Sequence, residues 1–115
     1  MKVHEDDRRV LTDWNDDLAT KTVKIVQAKK ECVLGNHYHK IKTERFMLIK
    51  GQADMFRWEF DGEHAYTNYG ARGPMTLNKP YIVKPEVRHS FWLQRGAILV
   101  CLVDKEYDPE DDYKD

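Results

Sequence analysis

The apolar residues of this chain arrive in short blocks, each broken by glycine, proline or asparagine before a long helix could form. Gly35-Asn36, Lys50-Gly51, Asp61-Gly62, Asn78-Lys79-Pro80 and Arg95-Gly96 are turn signals, because glycine and asparagine accept positive φ and proline ends a hydrogen-bond ladder. No intervening block has the apolar spacing of a long amphipathic helix, whereas β-branched residues are frequent. The sequence therefore predicts strands over residues 10–14, 22–28, 31–34, 37–40, 44–50, 52–60, 64–69, 74–77, 81–84, 89–94 and 98–104. About ten short strands in one small domain must close into a sandwich or barrel to bury both faces and protect their edges. The expected fold is all-β, one domain over 1–115, with an N-terminal arm at 1–9 and an acidic C-terminal tail at 105–115. A helical turn at 13–18 is also expected as an option, since Asp and Asn there can cap one.

Length and charge narrow the function classes. A chain of 115 residues is expected to form one domain with a single buried core. Its net charge of −1 provides no positive field for nucleic acid or an anionic membrane, so neither is an expected partner. The opening Met1-Lys2-Val3-His4-Glu5-Asp6-Asp7 is too acidic for a signal peptide, and no apolar run approaches the roughly 20 residues of a membrane span. A cytoplasmic protein is expected. Cys32 and Cys101 lack a neighbouring cysteine for a zinc pair and read as buried thiols, Cys101 within the apolar run 97–103. The acidic tail, with Pro109 and no apolar periodicity, reads as solvated.

Against this background His37-Tyr38-His39, with Glu44 and the distant His89, carries the chemistry. Two histidines one residue apart share a face of a strand, where side chains repeat every two residues; on a helix they would diverge by roughly 200°. Glu44 opens the next predicted strand beside them. Three neutral imidazoles and one carboxylate suit zinc, iron, manganese, nickel or copper, and leave coordination positions open for water or substrate.

In order and spacing, Gly35, His37, His39, Glu44 and Gly51 resemble the first motif of the cupin superfamily. Pro85 and His89 resemble part of the second, in which Val87 replaces a glycine and Leu93 stands at the asparagine position. The resemblance implies a jelly-roll barrel with a divalent metal, zinc foremost, held by His37, His39, Glu44 and His89. Gly35-Asn36-His37-Tyr38-His39, Thr43-Glu44-Arg45-Phe46 and the segment from Glu106 to Tyr113 are similar to the C-terminal cupin domain of CapF-type capsular polysaccharide proteins. That likeness implies an epimerase acting on a nucleotide-linked keto sugar, a homodimer, and a recurring rather than solvated segment at 107–113. The reductase domain that accompanies such cupins is absent from the 115 residues, so reduction of the product would fall to another protein. The run Gly-Asn-His-x-His-Lys also resembles stand-alone sugar-nucleotide 3,4-ketoisomerases, which lack the glutamate; Glu44 favours the metal site.

Epimerisation or isomerisation beside a ketone needs a base for the α-proton and stabilisation of the enolate, the second being work for a metal. The sequence does not single out the base, and Tyr38 alternates away from the ligand face. Lys40, Arg57 and Phe91 are the substrate-binding candidates: two cations for a diphosphate, and an aromatic ring sharing the parity of His89. Arg45, Arg72 and Arg88 are further cations, and Phe56, Trp58 and Trp92 further aromatics; His4 and His64 read as surface histidines. A metal- or sugar-binding cupin without catalysis and an iron-dependent dioxygenase are the rival functions, because a barrel does not fix a reaction.

Overall fold

A computed structural model describes residues 2–14, 19–58 and 70–114, with side chains of the last stretch from 73 onward. Its strands are β1 (Lys2–Glu5), β2 (Val10–Asp13), β3 (Thr22–Gln27), β4 (Cys32–His37), β5 (Glu44–Lys50), β6 (Ala53–Trp58), β7 (Gly70–Pro74), β8 (Pro80–Val83), β9 (Arg88–Leu93) and β10 (Ile98–Val103). No helix occurs among the described residues, and none is long and apolar enough to cross a membrane. Strands β3 to β10 form two antiparallel sheets in the orders β3-β10-β5-β8 and β4-β9-β6-β7. Successive strands alternate between the sheets before the chain doubles back, which is a jelly roll. The all-β expectation is thereby met.

Between the sheets lies a core of Phe46, Leu48, Ala53, Met55, Met75, Val83, Phe91, Leu93, Ala97, Leu99, Cys101 and Val103. These residues follow the period of two along β5, β9 and β10, so each strand gives one face to the interior. Full burial of a side chain such as Leu93 or Leu99 contributes on the order of 2 kcal/mol. Gly51, the last glycine of the first motif, makes the β5–β6 turn with φ of 86°, and a Cβ there would lie 2.8 Å from the Ala97 Cα. Only glycine satisfies both demands.

Several expected boundaries move. Where two strands, 31–34 and 37–40, are expected around a Gly-Asn turn, one strand, β4 (Cys32–His37), runs through Gly35 and Asn36 as a bulge, and residues 38–40 lie beyond it. Residues of the expected arm form β1, which pairs with β2 in a separate two-stranded sheet. Pro74 closes β7, and Leu77 makes a single parallel bridge to Leu48 instead of ending a strand. The expected strand 64–69 and residues 15–18 of the helical turn expected at 13–18 lie outside the described residues, while Asp13 ends β2.

Candidate metal centre

The bulge in β4 sets the site. Up to Gly35 the strand pairs residue by residue with β9, Cys32 opposite Leu93 and Gly35 opposite Ser90; after the shift His37 stands opposite His89. One extra residue reverses the side-chain parity, so His37 turns to the inner face that it would otherwise leave. Gly35 and Asn36 both take positive φ, 89° and 62°, the backbone that glycine and asparagine tolerate best. A Cβ at Gly35 would sit 3.0 Å from the His89 carbonyl oxygen, so the glycine also permits the close approach of the strands that carry His37 and His89.

His37, His39 and His89 bring one ring nitrogen each within 4.8 Å of the others. Glu44, at the start of β5 in the opposite sheet, completes the group: its Oε1 lies 3.0 Å from His39 Nε2 and 3.3 Å from His89 Nε2. His39, Glu44 and His89 are 4%, 2% and 1% exposed, while His37 is the open member at the edge. His39 Nε2, His89 Nε2 and Glu44 Oε1 make no hydrogen bond although they crowd one another. Three buried polar atoms that converge without hydrogen-bond partners form a set that a single cation could satisfy. Donors bound to one ion at about 2.0–2.2 Å stand roughly 2.8–3.6 Å apart, a range that includes both separations.

The far side of each ring agrees. His39 Nδ1 donates to the Asp111 carbonyl, and His89 Nδ1 donates to the Val87 carbonyl at 3.1 Å. His37 Nδ1 lies 3.0 Å from the Asp112 carboxylate. A carbonyl only accepts, so the Nδ1 atoms of His39 and His89 hold protons and their Nε2 lone pairs face inward. Burial, and then the His89 and His39 imidazoles, push the His37 imidazole down to about 4 against the pull of Asp112 and Glu44. It is neutral at ordinary pH, as a ligand must be. Burial raises the Glu44 carboxyl, but the adjacent His39 and His89 rings outweigh it and hold the group well below the usual carboxylate range. Its second oxygen, Oε2, accepts from the Cys101 thiol at 3.6 Å and pairs with the Lys24 ammonium at 3.6 Å.

The other candidates divide. Phe91 is buried on the inner face against Phe46, with ring centroids 4.5 Å apart, and forms the floor beneath the histidines. Arg57 stands opposite His89 in the β6–β9 register, hence on the same face, and donates to the Ile82 carbonyl at 3.3 Å. Lys40 places its ammonium over the Tyr113 ring, 4.4 Å from the centroid. Arg45 is a buried structural residue donating to Thr20, and Trp92 donates to Glu31 on the outside. Neither cysteine is in a disulfide, and Cys101 is core. His4 pairs with Asp13 at the surface; His64 lies outside the described residues, as does the Arg72 side chain. In the second motif the residue with positive φ is Glu86, at 73°, so the turn does not need a glycine at Val87, which packs against the core.

The sequence pattern did not reveal the role of the C-terminal segment. Residues 105–110 are exposed as expected, but the end of the segment docks beside the site: Asp111 is 4% exposed, and Tyr38 and Tyr113 exchange two backbone hydrogen bonds of 3.0 Å. Its attachment uses main-chain groups together with the Asp111 carboxylate and the Tyr113 ring, which leave no apolar periodicity to read.

Two antiparallel sheets enclosing a cluster of three histidines and a glutamate define a cupin jelly roll of the RmlC-like kind. The chain belongs to the polysaccharide biosynthesis C-terminal domain family, whose profile matches residues 4–89. Among solved structures it is similar to WlaRA, a TDP-fucose-3,4-ketoisomerase from Campylobacter jejuni, at 11% identity and a TM-score of 0.81 over 99% of this chain and 84% of that one. QdtA, a sugar 3,4-ketoisomerase from Thermoanaerobacterium thermosaccharolyticum in complex with TDP, is similar at 20% identity and a TM-score of 0.79, covering 99% and 83%. The dTDP-4-dehydrorhamnose 3,5-epimerase of Bacillus anthracis, with TDP and PPi bound, aligns at 16% identity and a TM-score of 0.80, covering 96% and 73%. No curated protein matches in sequence.

Proposed function

We propose that this protein is a metal-binding cupin that epimerises or isomerises a nucleotide-linked keto sugar in polysaccharide or deoxysugar biosynthesis. The observation that carries the metal is the convergence of the unpaired His39 Nε2, His89 Nε2 and Glu44 Oε1, with His37 beside them. Three imidazoles and a carboxylate suit zinc first, with iron, manganese or nickel also compatible. Bound there, a divalent ion supplies a Lewis acid for a ketone oxygen. The substrate class rests on the family and on structural neighbours whose names describe ketoisomerases and an epimerase of TDP-linked sugars.

The chain's own residues fit such a substrate. Phe46 and Phe91 close the interior below the cluster and exclude water from it. Arg57, on the inner face opposite His89, offers a guanidinium for a diphosphate oxygen. His37 is the more exposed imidazole and marks the side from which a sugar reaches the site. Exposed Val23 and Ile25 on β3 with Ile82 on β8 leave an apolar outer sheet face, which supports a homodimer; sedimentation equilibrium checks it.

Metal analysis of the purified protein, followed by incubation with TDP- and UDP-linked 4-keto sugars in deuterated water, tests the reading. Deuterium at the carbon beside the ketone is the expected result. Retained metal with no exchange on any such sugar would leave a binding module, and oxygen consumption with bound iron would make the protein an oxygenase.

A further inference from the structure

We infer that the segment from Asp108 to Lys114 is a strap whose docking and the binding of metal are coupled, with Asp111 and Asp112 as positioning residues for His39 and His37. The inference rests on the metal reading above. It goes beyond it, because the residues concerned follow the matched family region, which ends at His89.

The strap reaches the site at two adjacent residues. The Asp111 carbonyl accepts from His39 Nδ1, and the Asp112 carboxylate faces His37 Nδ1 at 3.0 Å. Both histidines of the His-x-His pair are thus held from behind by the strap, whereas His89 is held by Val87 of its own turn. An imidazole whose Nδ1 proton is engaged presents Nε2 as its lone pair; release it, and both tautomers and ring rotations become available.

What seats the strap is specific. The buried Asp111 carboxylate accepts from the backbone N–H of Lys40 at 2.7 Å and of Lys42 at 3.3 Å, so the loop after His39 wraps around this carboxylate. Tyr113 stacks on Tyr38 with centroids 5.3 Å apart and lies under the Lys40 ammonium. Arg88 joins strap to bulge, donating to the Lys114 carbonyl at 2.8 Å and to the Asn36 carbonyl at 2.9 Å. Tyr38 and Lys40, whose side chains leave the ligand face, therefore serve the site from outside by holding the element that orients its ligands.

Coupling of two binding events is reciprocal. Whatever factor unseating the strap removes from metal affinity, the metal must add to the stability of the docked strap.

Zinc affinity of the full-length protein, measured by competition with a chromophoric chelator, tests this alongside the d–d absorption of the cobalt(II) form. Asp111→Ala and Asp112→Ala should each weaken zinc binding about tenfold, and the double variant about a hundredfold. Asp112→Asn, which keeps an acceptor oxygen for His37, should recover part of the loss. In wild-type protein, zinc should slow hydrogen exchange of the Tyr113 amide by a comparable factor, and nitrogen NMR of the metal-free Asp112→Ala protein should show His37 losing its single tautomer. Unchanged zinc affinity in the double variant, or a Tyr113 amide indifferent to zinc, overturns the strap and leaves the metal site standing. Failure of the wild-type protein to bind zinc or cobalt overturns the metal reading and the coupling with it.

Discussion

The two terminal regions are alike in composition and opposite in structure. Residues 2–13 and 105–114 are both rich in charge and poor in apolar pattern, yet the first forms a hairpin that, among the described residues, pairs with no other strand, while the end of the second docks beside the histidines. The hairpin keeps its polar groups at the surface: Arg8 and Arg9 cap the Asp6 carboxylate, and His4 meets Asp13, all exposed. Such pairs contribute little, because water serves them nearly as well. The strap gives up that water. Asp111 trades it for two backbone N–H donors, and Tyr113 trades it for a backbone bridge to Tyr38. Charge density alone does not separate a solvated segment from a docked one; what decides is whether the partner surface offers unpaired N–H and C=O groups.

The largest test of that contrast is deletion. Removing residues 109–115 should lower unfolding stability by about 3 kcal/mol, the sum of several lost hydrogen bonds and a ring stack, whereas removing residues 1–9 should shift it by under about 0.5 kcal/mol. Chemical denaturation of the two shortened proteins compares them directly. Equal losses would erase the distinction.

Next in size, Gly35→Ala attacks the bulge against which the strap is fixed. Positive φ and the approach to the His89 carbonyl together should destabilise by about 2 kcal/mol, with Gly96→Ala, where φ is 88° but the space is open, costing about half as much. Thermal unfolding of the pair separates crowding from backbone strain. Tyr113→Ala should cost about 1 kcal/mol through loss of the Tyr38 stack and the Lys40 contact, and Tyr113→Phe should cost almost nothing. At the small end, Leu11→Ala on the hairpin should stay within about 0.5 kcal/mol; a larger loss in the same denaturation assay would show that the arm packs on the barrel after all.

Much of the barrel was legible because burial on one face of a strand writes a period of two, as in Ile98 to Val103, where every second residue is core. That these four side chains meet was legible in part: Glu44 opens a strand in the facing sheet, while His37 ends β4 and His39 lies just beyond it. Gly35-Asn36 misled the reading. A hairpin turn and a bulge ask for the same positive-φ residues, and only the pairing with β9 tells them apart. Val87 looked like a broken motif, but Glu86 takes the left-handed conformation and leaves Val87 free to pack. Arg45, named only as a further cation, is buried and donates to Thr20, a partner 25 residues away that the sequence does not point to. The strap was invisible to periodicity, and only the likeness to CapF-type domains gave it weight.

The contact between His39 and Asp111 spans 72 residues. A chain must therefore pair β4 with β9 and close both sheets before this contact can form, and distant pairings of this kind are made slowly. We expect the histidine cluster to assemble late in folding. Refolding followed by core fluorescence should run ahead of the recovery of ordered imidazoles, and metal added at the start should accelerate only the second.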